Sequence, residues 1–262
     1  MSEQDRPGGS SVRSMNSVLS TLRVLEEVAM RQPIGVSELA RATGIPKSSV
    51  QRCLVTLQQA GWLRIVDRAH ARWGVTMKVL AIGLRGAGEQ DLRELAEPVV
   101  KRLAAETDET VQLGLRDGAE YVIVATQDST QVVRVCLEVG TRVPLRATSA
   151  GVAIMSRLEP AEVDALLRHT LKEFADSPVP DDDELRAEIA GTAQRGYARN
   201  VSGWFRPHVA SVAAAVTDAS GHPVAGLTLS VPQMRYDEAR EADFARLVVA
   251  AADEISELIS SG

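Results

Sequence analysis

Cysteine is nearly missing from the 262 residues: Cys53 and Cys136 stand far apart, and neither has a second cysteine at CxxC spacing. That excludes a disulfide framework and a zinc site of familiar spacing. No run reaches the ~18 unbroken apolar residues of a membrane span, and Met1 to Ser14 is polar, without the apolar centre of a signal peptide. A reduced, cytoplasmic location with no membrane partner is expected. Catalytic signatures are missing too. There is no GxSxG elbow, no HExxH and no P-loop, and Gly86 and Gly88 lack the third glycine of GxGxxG. His70, His169, His208 and His222 are scattered singly, so no enzyme activity, cofactor, metal or catalytic residue is expected. Asp181-Asp182-Asp183-Glu184 gathers carboxylates, but at a helix start they complement the helix dipole.

What the chain does have is charge unevenly spread. The net charge of -6 argues, taken whole, against a nucleic-acid partner. Yet Ser10 to Leu80 holds ten basic residues against four acidic ones, so the remainder is strongly acidic. A length of 262 residues exceeds the usual ~100 to 200 residues of one domain. A basic module joined to an acidic one is therefore expected.

Residues 1-13 are polar and read as a disordered arm. Val18, Leu22, Leu25 and Ala29 recur every three or four positions and predict a first helix with one apolar face, ending near Gln32-Pro33. Ser37 as N-cap and Gly44 beyond the C-terminus bound a second helix of two turns. After Gly44-Ile45-Pro46, the spacing of Val50, Cys53, Leu54 and Leu57 predicts a third helix closed by Gly61. Two short helices joined by a glycine turn make a helix-turn-helix. Trp62 to Val66 and Arg72 to Thr76 then read as a two-stranded wing. Met77, Leu80, Ala81 and Leu84 give a linker helix fading into Gly86-Ala87-Gly88-Glu89.

Beyond the linker, Leu95, Val99 and Leu103 mark a helix over 92-107. Strands are expected at Val111 to Leu115, Tyr121 to Thr126 and Val132 to Leu137, with a turn at Asp117-Gly118. Helices at 149-158, 160-170 and 182-195, a hairpin of Val209 to Thr217 with Val224 to Val231, and a helix over 237-259 complete the chain. Hairpin-linked strands with helices to the side imply an α+β domain with an antiparallel sheet. The expected domains are 14-76 (winged helix-turn-helix), 77-91 (linker helix) and 92-262 (the α+β domain).

The third helix turns Lys47, Ser48, Ser49, Gln51 and Arg52 away from its core face, near the helix start, as reading a major groove requires. A polar helix face alone is only a solvated face. The short preceding helix, the turn, the wing and the local charge together make it a DNA-reading one. Arg68, His70 and Arg72 in the wing suit a minor groove or the backbone.

The run Ser17-Val18-Leu19 through Leu39-Ala40-Arg41-Ala42-Thr43-Gly44-Ile45-Pro46-Lys47-Ser48-Ser49-Val50 to Gly61-Trp62-Leu63 resembles the IclR family of bacterial transcriptional regulators. More specific is Gly140-Thr141-Arg142-Val143-Pro144-Leu145-Arg146-Ala147-Thr148-Ser149-Ala150-Gly151-Val152-Ala153, similar to the family's effector-domain signature. Arg195-Gly196-Tyr197-Ala198 and Ala225-Gly226-Leu227-Thr228-Leu229-Ser230-Val231-Pro232 extend the resemblance over nearly the whole chain. It implies a GAF-like effector domain, a homodimer or dimer of dimers, and control of DNA binding by a small organic acid. It also implies an effector site with Leu145, Ser149, Ala150 and Gly151 on one wall and Ser211, Thr228 and Ser230 on the hairpin opposite. Strand alternation puts Thr228 and Ser230 on one face. Thr148 is expected to cap the helix that begins at Ser149; residue types alone support a ligand-facing helix end and simple close packing equally. The family commonly has an acidic residue between Tyr197 and Val209, whereas this chain has Arg199, Trp204, Phe205 and Arg206 and no carboxylate. Positive charge from Arg199 or Arg206 near an anionic ligand is the expected consequence.

The expected function is a DNA-binding transcriptional regulator whose operator binding answers to a small-molecule effector. A two-fold dimer predicts a near-palindromic operator on double-stranded DNA. The alternative is a metabolite-sensing protein that acts through protein partners without touching DNA.

Overall fold

Helical spacing and glycine turns produce the first of two units. The computed structural model describes residues 14-86, 92-168 and 178-261 and divides the chain into units within residues 1-89 and 90-262. The expected arm at 1-13 and the linker end at 87-91 lie outside the described residues, as do His169 and the tail of the helix expected to reach 170. In the first unit, helices α1 (Asn16–Arg31), α2 (Val36–Thr43) and α3 (Lys47–Gln59) precede the hairpin β1 (Leu63–Asp67) and β2 (Arg72–Val75), and α4 (Met77–Gly86) follows. Leu39, Val50, Leu54 and Leu57 close the core against Val24 and Val28 of α1. Gly44 ends α2 at φ +69°, a backbone state that suits glycine. Thr43 locks the turn, donating to Leu39 O at 2.7 Å and accepting from Ile45 N at 3.2 Å.

Two details depart from expectation. Ser37 does not cap α2: the N-cap is Gly35, whose N–H donates to Glu38 Oε2 at 3.0 Å. A carboxylate three residues into the helix supplies this bond as well as a serine would have supplied its counterpart. On α1, the apolar stripe is displaced. Val24 and Val28 are buried and Leu25 partly so, but Val18 and Leu22 lie exposed, with Met15 and Leu19 beside them.

The second unit is a six-stranded antiparallel sheet in the order β5-β4-β3-β8-β7-β6. Its strands are β3 (Thr110–Asp117), β4 (Glu120–Gln127), β5 (Arg142–Pro144), β6 (Ala198–Asn200), β7 (Val209–Thr217) and β8 (Pro223–Pro232), and its helices α5 (Leu92–Thr107), α6 (Ser149–Met155), α7 (Pro160–Leu167), α8 (Asp182–Arg195) and α9 (Glu241–Ser261). Successive strand residues face opposite ways. Val212, Ala214, Leu227 and Leu229 accordingly point with Val111 and Leu113 into a core closed by Val99, Leu103, Phe244 and Val248 of α5 and α9. The other face offers Gln112, Gly114, Ser211, Ala213, Gly226, Thr228 and Ser230, paired in register across β3, β8 and β7, and α6 lies over it.

The run Val132 to Leu137 is not a strand. It forms a strap pinned by Thr110 Oγ1 to Val135 O at 2.8 Å and Arg235 Nη1 to Val133 O at 2.7 Å. Its β-branched composition suits a strand, but its carbonyls accept from side chains, Thr110 and Arg235, instead of from a neighbouring strand.

Close approach fixes α6. A Cβ on Gly151 would sit 1.8 Å from the Leu145 carbonyl oxygen, so only glycine fits without moving backbone. Gly151→Ala is expected to lower stability by about 3 kcal/mol or more. Gly83, in α4, has open space around it, and Gly83→Ala is expected to raise stability by up to about 1 kcal/mol. Urea unfolding of the full chain measures both.

Candidate functional site

The α3 face away from the core carries exposed Lys47, Ser48, Gln51 and Arg52 and a half-buried Ser49. No acidic residue lies in its first turn, so Lys47 and the helix dipole present uncontested positive potential. Arg52 Nη2 donates to Ser49 Oγ at 3.3 Å, an exposed bond within the face. In the wing, Asp67 accepts from Ala69 N at 2.9 Å and His70 N at 3.2 Å, and pairs with His70 Nδ1 at 2.8 Å. These bonds, the His70 side chain's first, hold the Asp67 carboxyl below its usual range. They fix the loop that exposes Arg68.

Arg72 is occupied differently from the other residues expected at DNA. Its guanidinium donates to Pro33 O at 2.9 Å and to both oxygens of Glu38, at 3.2 and 3.4 Å. The backbone bond from Gly35, then the charge of Arg72, hold Glu38 below the usual carboxylate range. Glu38 thus joins the start of α2 to the wing. Lys78 is similarly engaged, donating to Ala60 O at 2.7 Å with its ammonium 5.0 Å from the Trp62 ring. The basic excess of the sequence is therefore only partly available to phosphate. Glu38 and Arg72 are 34 residues apart, and no local pattern signals their pairing.

In the second unit, α6 and the small-residue face of the sheet enclose a cavity of about 50 Å³, several times what one water needs. Ser149, Ala150, Ser211, Thr228 and Ser230 all line it, as the sequence led one to expect. Leu145 and Gly151 do not. Leu145 is buried on the far side of the turn, facing Met155 and Leu166, and Gly151 is pressed against the Leu145 carbonyl. The sequence reading missed Gln112, Tyr121, Ile123, Val143 and Asn200. Only strand alternation on β3 and β4 could have raised the first three.

Trp204, Phe205 and Arg206 also line the cavity. Asn200 holds this loop through two bonds to Trp204, Nδ2 to its O at 3.1 Å and Oδ1 from its N at 3.2 Å. Arg206 is the one charged lining residue among those described; it is exposed, its guanidinium 5.6 Å from the Phe205 ring. Arg199 is elsewhere, donating to Glu241 at 3.1 and 3.2 Å. Inside, Ser149 and Ser211 hydroxyls pair at 2.8 Å, and Tyr121 OH donates to Gly226 O at 2.8 Å. Burial raises the Tyr121 pKa, so the phenol is a neutral donor. Thr148 caps α6, accepting from Gly151 N at 3.1 Å.

A helix-turn-helix unit followed by a sheet domain with an enclosed cavity is the build of a DNA-binding transcriptional regulator with an effector domain. Residues 17–66 match the IclR helix-turn-helix domain and residues 85–257 the bacterial transcriptional regulator IclR C-terminal domain. The chain belongs to the IclR family. It is 30% identical to the HTH-type transcriptional regulator KipR of Bacillus subtilis (strain 168) over 93% of this chain and 96% of that one. Against the transcriptional repressor IclR of Escherichia coli (strain K12), identity is 26% over 92% and 89%. An IclR homolog from Microbacterium hydrocarbonoxydans, solved in complex with 4-hydroxybenzoate, superposes with a TM-score of 0.76 at 20% identity, covering 94% of this chain and all of that one. These relatives are regulators rather than enzymes. Among the described residues no helix is long and apolar enough to cross a membrane.

The Glu38 contact makes a pH prediction. A carboxyl whose folded pKa is depressed stabilises the fold above its unfolded value and loses that contribution as pH falls through the folded one. Protection of residues 33–43 against amide exchange is therefore expected to drop as pH falls below 4.5, the ordinary value for Glu38. In Arg72→Ala that protection is lower at neutral pH and the acid step smaller. Exchange read by mass spectrometry that is unchanged by the substitution would contradict the role given to Arg72.

Proposed function

We propose that α3 enters the major groove, with Lys47, Ser48, Ser49, Gln51 and Arg52 facing DNA and the wing residues Arg68 and His70 reaching adjacent backbone or minor groove. A small organic acid in the cavity beneath α6 changes operator affinity. Arg72 supports the interface by holding the wing to α2 instead of contacting phosphate. Carrying this reading is the cavity itself: an apolar wall, a floor of hydroxyls and the Arg206 cation at the rim suit a small anion with an apolar body. The 4-hydroxybenzoate in the Microbacterium hydrocarbonoxydans homolog is a ligand of that description. We further infer a homodimer on a near-palindromic operator. Exposed Met15, Val18, Leu19 and Leu22 near the start of α1, with Met77, Leu80 and Ile82 on α4, supply apolar surface for a second copy. Effector and operator communicate only if the acid favours one arrangement of the linked units, with a coupling of about 1 to 3 kcal/mol.

DNA binding is tested on sequences selected from randomised duplexes, by fluorescence anisotropy across a salt series. Lys47→Ala and Arg52→Ala are expected to weaken binding about tenfold or more. Removing one phosphate-neutralising charge flattens the salt dependence by about 0.9 in log–log slope. Arg72→Ala weakens binding without changing that slope, and saturation occurs at two chains per operator. Unchanged affinity in both Lys47→Ala and Arg52→Ala would sink the interface and favour action through protein partners.

The cavity is tested by thermal shift with a panel of small aliphatic, aromatic and sugar acids, since a ligand of the folded state raises stability as RT ln(1 + [L]/Kd). Arg206→Ala is expected to weaken the best acid about tenfold, and Ser149→Trp, which fills the cavity, to abolish the shift while leaving basal DNA binding intact. A normal shift in Ser149→Trp would remove the cavity from consideration.

A further inference from the structure

The cavity floor holds an amide whose hydrogen bonding the fold leaves unfinished. Gln112 lies in β3, between β4 and β8, and is 3% exposed. Its Oε1 accepts from Ser230 Oγ at 3.2 Å, while its Nε2 has no partner among the described residues. Turning the amide over only exchanges which end is left without one. Thr228 stands directly opposite in register, and its hydroxyl approaches the Tyr121 phenol without making a well-formed bond. The other polar groups around the cavity are satisfied: Ser149 with Ser211, Tyr121 with Gly226, Asn200 with Trp204. Buried polar groups left unpaired are destabilising and rare in a finished site. This corner is therefore where a ligand atom completes the bonding.

The chemistry of that atom follows from charge. Among the described residues the floor holds no cation, Arg206 at the exposed rim being the charged lining residue, so a carboxylate buried at Gln112 would be uncompensated. A hydroxyl carries no charge, and because it both donates and accepts it satisfies the amide in either orientation. We propose that Gln112, with Thr228, binds a hydroxyl of the effector. The effector is then a hydroxylated acid, with its hydroxyl on the floor, an apolar body against Ile123, Val143 and Trp204, and its carboxylate toward Arg206. This rests on the cavity being the effector site.

Two matched pairs test it on the full chain by calorimetry: 4-hydroxybenzoate against benzoate, and 4-hydroxycyclohexanecarboxylate against cyclohexanecarboxylate. The wild type is expected to prefer the hydroxylated member of at least one pair about tenfold or more, because the other leaves the corner empty. Gln112→Met removes the unpaired amide at similar volume. It is expected to bind both members alike, with a melting temperature no lower than wild type. Thr228→Val, isosteric without the hydroxyl, weakens only the hydroxylated member. Equal affinities within both pairs in the wild type, or an undiminished preference in Gln112→Met, would overturn this inference and leave the cavity reading standing. Failure of all four acids to bind up to millimolar concentration would overturn it together with that reading. A large fall in melting temperature in Gln112→Met, with the preference retained in Thr228→Val, assigns the amide to the fold and overturns it too.

Discussion

A pleated strand sends successive side chains to opposite faces, and in β7 and β8 that rule divides structure from function. Both faces are buried, so each residue must satisfy one of two incompatible demands. Val212, Val216, Leu227 and Leu229 fill the side under α5 and α9, each buried large side chain contributing about 1.5–3 kcal/mol. Ser211, Ala213, Gly226, Thr228 and Ser230, interleaved with them, are too small to fill the side under α6. Space remains there because α6 is held by Gly151 on the Leu145 carbonyl and by Gly226 beneath Ala150, and cannot sink further. The cavity is the residue of that arrangement, with hydroxyls exposed wherever bulk is missing.

A related economy governs the smaller unit. The exposed polar face of α3 is left with few internal bonds, while Arg72 and Lys78 are bound into the frame. Glu38 caps α2 and receives Arg72, so the helix-turn-helix and the wing share one ion pair. Exposed ion pairs are individually weak. This one acts through geometry, since the same carboxylate oxygen accepts from both the helix start and the wing arginine.

Periodicity revealed most of the architecture. The bounds of the 92-107 and 182-195 helices and of the 209-217 strand were legible because apolar spacing, caps and turns agree locally. Errors fell where local signals conflict with neighbours. Val132 to Leu137 has strand composition but is held by side-chain bonds from Thr110 and Arg235, and the first turns of α1 have core composition with nothing among the described residues to cover them. Of the residues that the family resemblance implies for the effector wall, Ser149, Ala150, Ser211, Thr228 and Ser230 line the cavity, while Leu145 and Gly151 pack beside it.

The sequence by itself determined the helices, the long strands β3, β4, β7 and β8, the split between a basic segment and an acidic one, and the hydroxyl-bearing strand face, because these depend on residues close along the chain, whereas the three-residue strands β5 and β6 carried no such signal. Tertiary structure alone decided which of those residues remain available. Arg72 and Lys78 were withdrawn into the frame, Arg199 was taken by Glu241, and Arg206 was left at the cavity rim. Gln112 was brought beside Thr228 with one end of its amide unmatched. The physical reason is that a side chain's commitments are made across strands and helices tens of residues apart, where spacing along the chain carries no information.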